Sequence, residues 1–365
     1  MCGYTPGAMT PDVPSETRAP ARIERRPGRV RLDDVAREAE VSKSLCSRVL
    51  NDYPGLKVRP EVRQRILDAA ARLNYRPHAA ARGLRRADTG IVGLLIPDLT
   101  NAFFARVIRG AFARAVERDF VVLVAEDQAA RETNEMVDRL VQSARLDGMM
   151  VASARPRHPL ISMLRTRNIP HVFVNRGVRG SNRNVVLDDA RAGRAALDHL
   201  IGLGHTRIGH VAGPAELDST RRLSEGFRTI AGERGLEPLV MEGALSEDGG
   251  GQATRELLDR HPDITALFAT SLVQAVGILQ VAYQRGLDVP RDLSLVAYDE
   301  TPLAAFLQPP VTTVEMPTDE LGATAVDALI DQILGEEPRS VMLDAEPSIV
   351  ARESTTAAPV RAAAR

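Results

Sequence analysis

Cysteine is nearly missing: Cys2 and Cys46 are the only two in 365 residues. Two such residues build no disulfide framework, which points to a reducing compartment. Cys46 lies on a helical apolar face and reads as a small buried hydrophobe. Long apolar runs are also missing. None approaches the ~20 residues of a membrane span, and the opening MCGYTPGAMTPDVPSETRAPARIERRPG lacks the apolar stretch of a signal peptide. That opening is rich in Pro, Ala and Arg, so residues 1–29 read as a disordered, partly basic tail. Enzyme motifs are missing too: there is no GxGxxG, no P-loop and no nucleophile elbow. His205 and His210 flank the start of a strand without a triad partner or ligand cluster. No catalytic residue, cofactor or metal is therefore expected.

Net charge is nearly absent as well, at −1, but the balance hides an asymmetry. Residues 22–86 carry seventeen Lys and Arg against eight Asp and Glu, a surplus of nine that the rest of the chain cancels. A basic head on an acidic body is expected when only the head meets nucleic acid. The length allows two or three domains with cores of their own.

The stretch LDDVAREAEVSKSLCSRVLN, residues 32–51, contains two short helical patterns. Leu32, Val35, Ala36 and Ala39 share one face, with Asp33 and Asp34 near the start. Val41 turns inward and Ser42 is a good N-cap for a second helix, in which Cys46, Val49 and Leu50 face one way. Lys43, Ser44, Ser47 and Arg48 point elsewhere. Two helices on a tight turn form a helix-turn-helix, whose second helix enters the DNA major groove; an ordinary helical hairpin with a solvated face is the alternative. A third helix starts at Pro60 and turns Val62, Ile66, Ala70 and Leu73 inward. Pro77 ends it. The following AAARGLRR supports either a flexible basic linker or a short helix with Leu84 as a minor-groove wedge among Arg82, Arg85 and Arg86.

From Gly90 short apolar strands alternate with amphipathic helices. IVGLLIP, FVVLVAE, DGMMVAS and HVFVN are strands, and helices include NAFFARVIRGAFARAVERD, ETNEMVDRLVQSARL and HPLISMLRTRN. After VVLDD the pattern repeats, with strands RIGHVAG, TALFAT and LSLVAYDE and helices at 190–203, 220–234, TRELLDRH and SLVQAVGILQVAYQRG. Such alternation predicts doubly wound parallel sheets in two lobes. Ligands of such sheets bind at the carboxyl ends of the strands.

These stretches, in this order, resemble a known family. The head DDVAREAEVSKSLCSRVLND with RPEVRQRILDAAARLNYRPHAAARGLRR carries the likeness first. GIVGLLIPDLTNAFFARVIRG, DGMMV, IPHVFVN, VVLDDARAG, HLIGLGHTRIGHVAGP, GLDVPRDLSLVAYDE and PPVTTVEMP continue it. All resemble the lactose-repressor (LacI) family of bacterial transcription regulators, over residues 31 to about 354. The resemblance implies a cytoplasmic, sequence-specific repressor, not an enzyme. It would bind a palindromic double-stranded DNA operator as a homodimer, without a membrane partner. It implies a small all-α helix-turn-helix head at 30–76, a hinge helix or linker at 77–87 and a body at 88–357. That body would be α/β and two-lobed, like periplasmic binding proteins, with a small polar effector, sugar or other metabolite, between its lobes. The N-lobe is expected at about 88–188 and 317–340, the C-lobe at about 189–316 and 341–357, and a disordered tail at 358–365.

Carried over by position, Lys43, Ser44 and Arg48 would face bases; Ser42, Ser47 and Asn51 would face phosphates; Arg82 and Leu84 would meet the minor groove. Leu45 stands where the family commonly has Thr, and is either a thymine-methyl contact or a solvent-exposed residue. Glu40 replaces the usual Gly of the turn, Gly83 the usual Ser of the hinge, and the loop after Asn51 is two residues longer than in the shortest members. In the cleft, Asp299 is the expected principal acceptor, with Asp188, Phe103, Phe104 and Ser271 on the walls; the alternatives are plain core for Phe103 or Phe104 and a helix cap for Asp188. Leu223 stands at the family's pocket Arg, so an anionic ligand is not expected unless Arg221 or Arg222 turns in. Two other classes fit less well. A transport solute-binding protein would not carry the basic head, and an enzyme would need motifs that are missing.

Overall fold

The computed structural model describes residues 30–50, 53, 55–73, 75, 89–127, 146–156 and 158–359. The expected tail at 1–29, Asn51, the linker 77–87 with Arg82 and Leu84, and all but the last residue of the helix expected at 132–146 lie outside them. Contacts divide the chain into two compact units, Met1–Arg82 and Gly83–Arg365.

In the first unit α1 (Leu32–Glu38), α2 (Lys43–Leu50) and α3 (Pro60–Arg72) surround one small core. Val35, Ala36, Ala39, Cys46, Val49, Ile66, Ala69 and Ala70 fill it. Half of these are alanines, so the helices approach closely around Ile66. Asp34 closes the start of α1 by accepting from the Arg31 backbone N–H at 2.8 Å. Glu40 makes the turn with φ at 51°, the left-handed region that a glycine would enter freely. Ser42 Oγ then accepts from the Leu45 N–H at 3.2 Å, capping α2. Arg65 reaches back from α3 and donates to the Ala39 carbonyl at 2.9 Å, satisfying an end of α1 that lacks a helical partner. Burial pushes the Cys46 thiol up, which keeps it protonated and unreactive.

The body's strands are β1 (Ile91–Ile96), β2 (Val121–Glu126), β3 (Gly148–Val151), β4 (His171–Val174), β5 (Asn184–Leu187), β6 (Ile208–Ala212), β7 (Leu239–Glu242), β8 (Ala266–Ala269), β9 (Ser294–Tyr298), β10 (Thr312–Glu315), β11 (Val341–Leu343) and β12 (Ser348–Val350). Its helices are α4 (Ala102–Glu117), α5 (Pro159–Thr166), α6 (Asp189–Gly202), α7 (Asp218–Glu233), α8 (Glu247–Arg260), α9 (Leu272–Gln284) and α10 (Thr318–Ile333). They build two six-stranded sheets, ordered β11-β5-β4-β3-β1-β2 and β12-β10-β9-β8-β6-β7. Every pairing is parallel except β10 with β12. Strand residues alternate between two cores: Ala266 and Phe268 pack with α6 and α7, Leu267 and Ala269 with α8 and α9. Both faces are therefore covered, which is why these strands read as unbroken apolar runs.

Three helix pairs cross at reciprocal glycines. A Cβ at Gly110 or Gly322 would strike backbone across α4 and α10. Gly193 and Gly226 do the same for α6 and α7, Gly250 and Gly277 for α8 and α9. This explains the start of α8. From sequence the helix is expected only from Thr254, beyond three glycines that weaken a helix in isolation. The helix instead begins at Glu247, capped by Ser246 Oγ on the Gly249 N–H at 3.1 Å.

The chain crosses between lobes three times, at β5 to α6, β10 to α10 and β11 to β12. Val341–Leu343 pairs with β5 in the N-lobe sheet, so the expected C-lobe segment at 341–357 begins after Leu343. Ala358, placed in the expected tail, is tied down: its N–H donates to the Leu203 carbonyl at 2.8 Å. None of the described helices is long and apolar enough to cross a membrane.

Candidate functional site

Two surfaces follow from this architecture. In the head, α2 turns Ser42, Lys43 and Ser44 outward, while Ser47 and Arg48 are half-buried. Lys43 pairs with Asp33 at 2.9 Å, with both side chains at least half exposed. Arg48 lies along Ser44 through long contacts of 3.3 and 3.4 Å. Exposed pairs of this kind contribute about 0–1 kcal/mol, so both cations can exchange their partners for nucleic acid. Leu45 is not the solvent-exposed residue of one expectation: it is half-buried and packs on the head core. The helix repeat places it near Val49 rather than on the outward face.

In the body, a cleft of about 50 Å³ lies between the lobes at the carboxyl ends of the strands. Phe103 and Phe104 wall one side, edge to face with ring centres 5.1 Å apart. Both are also core residues. Asn175 and Arg176 follow β4 on the same lobe; Ser271 and Asp299 follow β8 and β9 on the other. Ser271 Oγ caps α9 by accepting from the Gln274 N–H at 3.2 Å. Asp299 has φ at 79°, and no described residue donates a hydrogen bond to its carboxyl. Burial, then the charge of Asp189, pushes its pKa up to about 8.

Asp188 does not reach the cleft. It caps α6, accepting from the Arg191 N–H at 3.1 Å. The next residue, Asp189, is the cleft carboxylate, fully buried. Tyr298 Oη donates to it at 2.8 Å and Arg222 at 2.5 Å. Arg222 also pairs with Asp218 and donates to the Asn175 carbonyl at 3.1 Å. Arg221 pairs with Asp218 at 2.7 Å and Glu225 at 2.6 Å. Both arginines line a separate, wider groove of about 1460 Å³ rather than the cleft. Neither lines the cleft in this arrangement. The cleft's cation is Arg176, which sequence reasoning passed over; its place one residue beyond the strand at HVFVN was the available signal. The residue is 8% exposed, and burial, with Arg155 nearby, lowers its pKa to about 10.

The two histidines are structural. His205 bonds Thr265 Oγ1 and the Thr356 carbonyl, His210 the Phe268 carbonyl and Ser224 Oγ. His210 also stacks between Phe227 and Phe268, and burial lowers its pKa to about 4.

Comparison with known proteins bears on both surfaces. Residues 31–78 match the model of bacterial regulatory proteins, lacI family, and residues 197–355 that of the periplasmic binding protein-like domain. The ribose operon repressor of Escherichia coli K12 is 32% identical over 329 residues, covering 88% of this chain and 99% of the relative. The chain belongs to the LacI family. It is a DNA-binding transcriptional regulator. The family regulator MalR of Streptomyces coelicolor is 34% identical over 345 residues, covering 90% and 97%. Among solved structures, the lac repressor dimer bound to operator and the anti-inducer ONPF has a TM-score of 0.78 at 26% identity, covering 90% of this chain and 99% of that one. The regulator CelR with cellobiose scores 0.68 at 30% identity, covering 89% and 100%.

Proposed function

We propose that this LacI-family regulator is a repressor. As a homodimer it binds a palindromic operator, and a small polar effector in the interlobe cleft controls that binding. The observation that carries the reading is the outward polar face of α2, set by the Ser42 cap on a self-contained helical unit with excess positive charge. Lys43, Ser44 and Arg48 are suited to base edges, Ser42 and Ser47 to phosphates. The operator-bound lac repressor dimer supports the two-fold arrangement, and the sugar in the CelR complex supports the cleft. A regulator of bacterial transcription acts where the chromosome lies, in the cytoplasm. The test is selection from random DNA by the full-length protein. Two-fold symmetric sequences are expected, with affinity falling steeply between ~50 and ~200 mM salt. Replacing Arg48 by Ala should weaken the selected site by about 1–3 kcal/mol and relax base preference. Affinity indifferent to salt and sequence would falsify the reading.

A further inference from the structure

The N-lobe turn after β4 is held from across the cleft at two neighbouring points. Asp218 of α7, on the C-lobe, accepts from the Gly177 N–H at 2.9 Å. Arg222, one helical turn on, donates to the Asn175 carbonyl at 3.1 Å. A Cβ at Gly177 would stand 2.9 Å from Asp218 Oδ2, so glycine leaves the carboxylate its room. Beside Asp299 a second arm runs the other way. Arg106 of α4, on the N-lobe, donates to the Glu300 carbonyl and to Glu315 Oε1 on the C-lobe, each at 3.3 Å. Both arms share one design. Their arginines are matched by carboxylates of their own lobe: Arg222 by Asp218 and Asp189, Arg106 by Asp319 at 3.1 Å. Three of the four bonds that cross go to or from backbone. Where a charge pair does cross, Arg106 with Glu315, the carboxylate is 40% exposed. Parting the lobes therefore strands no buried charge, and water takes the place of the lost partners.

We propose that these two arms form a releasable clamp that holds the lobes shut in the unliganded protein, and that the effector enters by releasing it. The proposal rests on the reading of this cleft as the effector site. Gly177, Asp218 and Arg222 also line the wide groove outside, while Asn175, Asp189 and Ser219 line the cleft. The α7 arm is thus the partition between the two, and its release joins groove to cleft. Movement of the lobes as bodies is enough for this, since each arm ends on backbone that travels with its own lobe.

The test is the rate at which a thiol inside the cleft is labelled. Ser271, on the cleft wall and 3% exposed, is replaced by Cys in the full chain carrying Cys2→Ser. Methyl methanethiosulfonate is then added without effector or operator, so the rate follows the population of open lobes. Asp218→Ala cuts the α7 arm from the C-lobe. Gly177→Ala crowds the same arm from the N-lobe and leaves every charge in place. Arg106→Gln cuts the α4 arm. Each should speed labelling at least 5-fold. Arg221→Ala changes the same turn of α7, but its partners Asp218 and Glu225 lie in its own lobe, so its rate should stay within 2-fold of the parent. Leu258→Ala, in the core under α8, should lower the melting temperature and leave the rate unchanged. Rates indifferent to the three arm variants overturn the clamp. Rates that simply follow melting temperature across all five variants overturn it too, since labelling would then report unfolding. No effector enters the measurement, so either result leaves the reading of the cleft as the effector site to its own test.

Discussion

Asp299 holds two unfavourable conditions at once, a left-handed backbone at 79° and a carboxyl withdrawn into the cleft. The second has a measurable sign. The folded carboxyl titrates at about 8, against 3.8 for an ordinary aspartate. Between those pH values the folded state binds more protons than the unfolded state, so this residue makes stability fall as pH rises from about 4 to about 8. Asp299→Asn removes the titration. Its melting temperature should exceed wild type by at least ~2 °C at pH 8, and the gain should vanish near pH 4. A constant difference across that range would show that the carboxyl does not titrate as described. At this scale the sequence was uneven as a guide. Asp299 was legible because a residue just past a buried strand lies at a sheet's carboxyl edge. Asp189 was missed in favour of Asp188 because two adjacent carboxylates at a helix start differ only in which way the first turn points them. Arg176 was passed over because only packing reveals that it is withdrawn from solvent beside the cleft.

Among the elements, helices and strands with long apolar runs were legible, and several short strands were not. The strands β5, β7 and β10 to β12 have three or four residues each and are specified by their neighbours more than by their own composition. The glycine-rich start of α8 misled for the opposite reason: glycine weakens an isolated helix, yet here it permits backbone contact with α9. The same logic separates two glycines of α7. A Cβ at Gly226 would run into the Ala190 backbone, whereas one at Gly232 meets nothing within 4 Å. Gly226→Ala should therefore destabilise the protein by about 3 kcal/mol or more, through forced separation of α6 and α7. Gly232→Ala should stabilise it by roughly 0.5–1 kcal/mol through helix propensity alone. Urea unfolding of the two variants measures both, and equal effects would mean that the crossing is not set by close backbone approach.

At the scale of the whole molecule, the cleft is too small for the ligand assigned to it. Its 50 Å³ holds a few waters, against about 300 Å³ or more for ordinary ligand pockets. The lobes are joined by three crossings, so they can move as bodies about those crossings without either sheet unravelling, at the cost of shifting the apolar cluster they share. A ligand then binds at the cost of opening the lobes, and stabilises whichever arrangement accommodates it. If that arrangement has a different affinity for the operator, the coupling is reciprocal by thermodynamic necessity. The factor by which saturating effector changes operator affinity must equal the factor by which saturating operator changes effector affinity. A coupling of about 1–3 kcal/mol, or 5–150-fold, is expected. Titrating the operator with and without effector, and the effector with and without operator, gives both factors in one buffer. Equal factors above 5 support two lobe arrangements linked to DNA binding. A factor of one in both directions would leave the cleft as a binding site with no hold on the head.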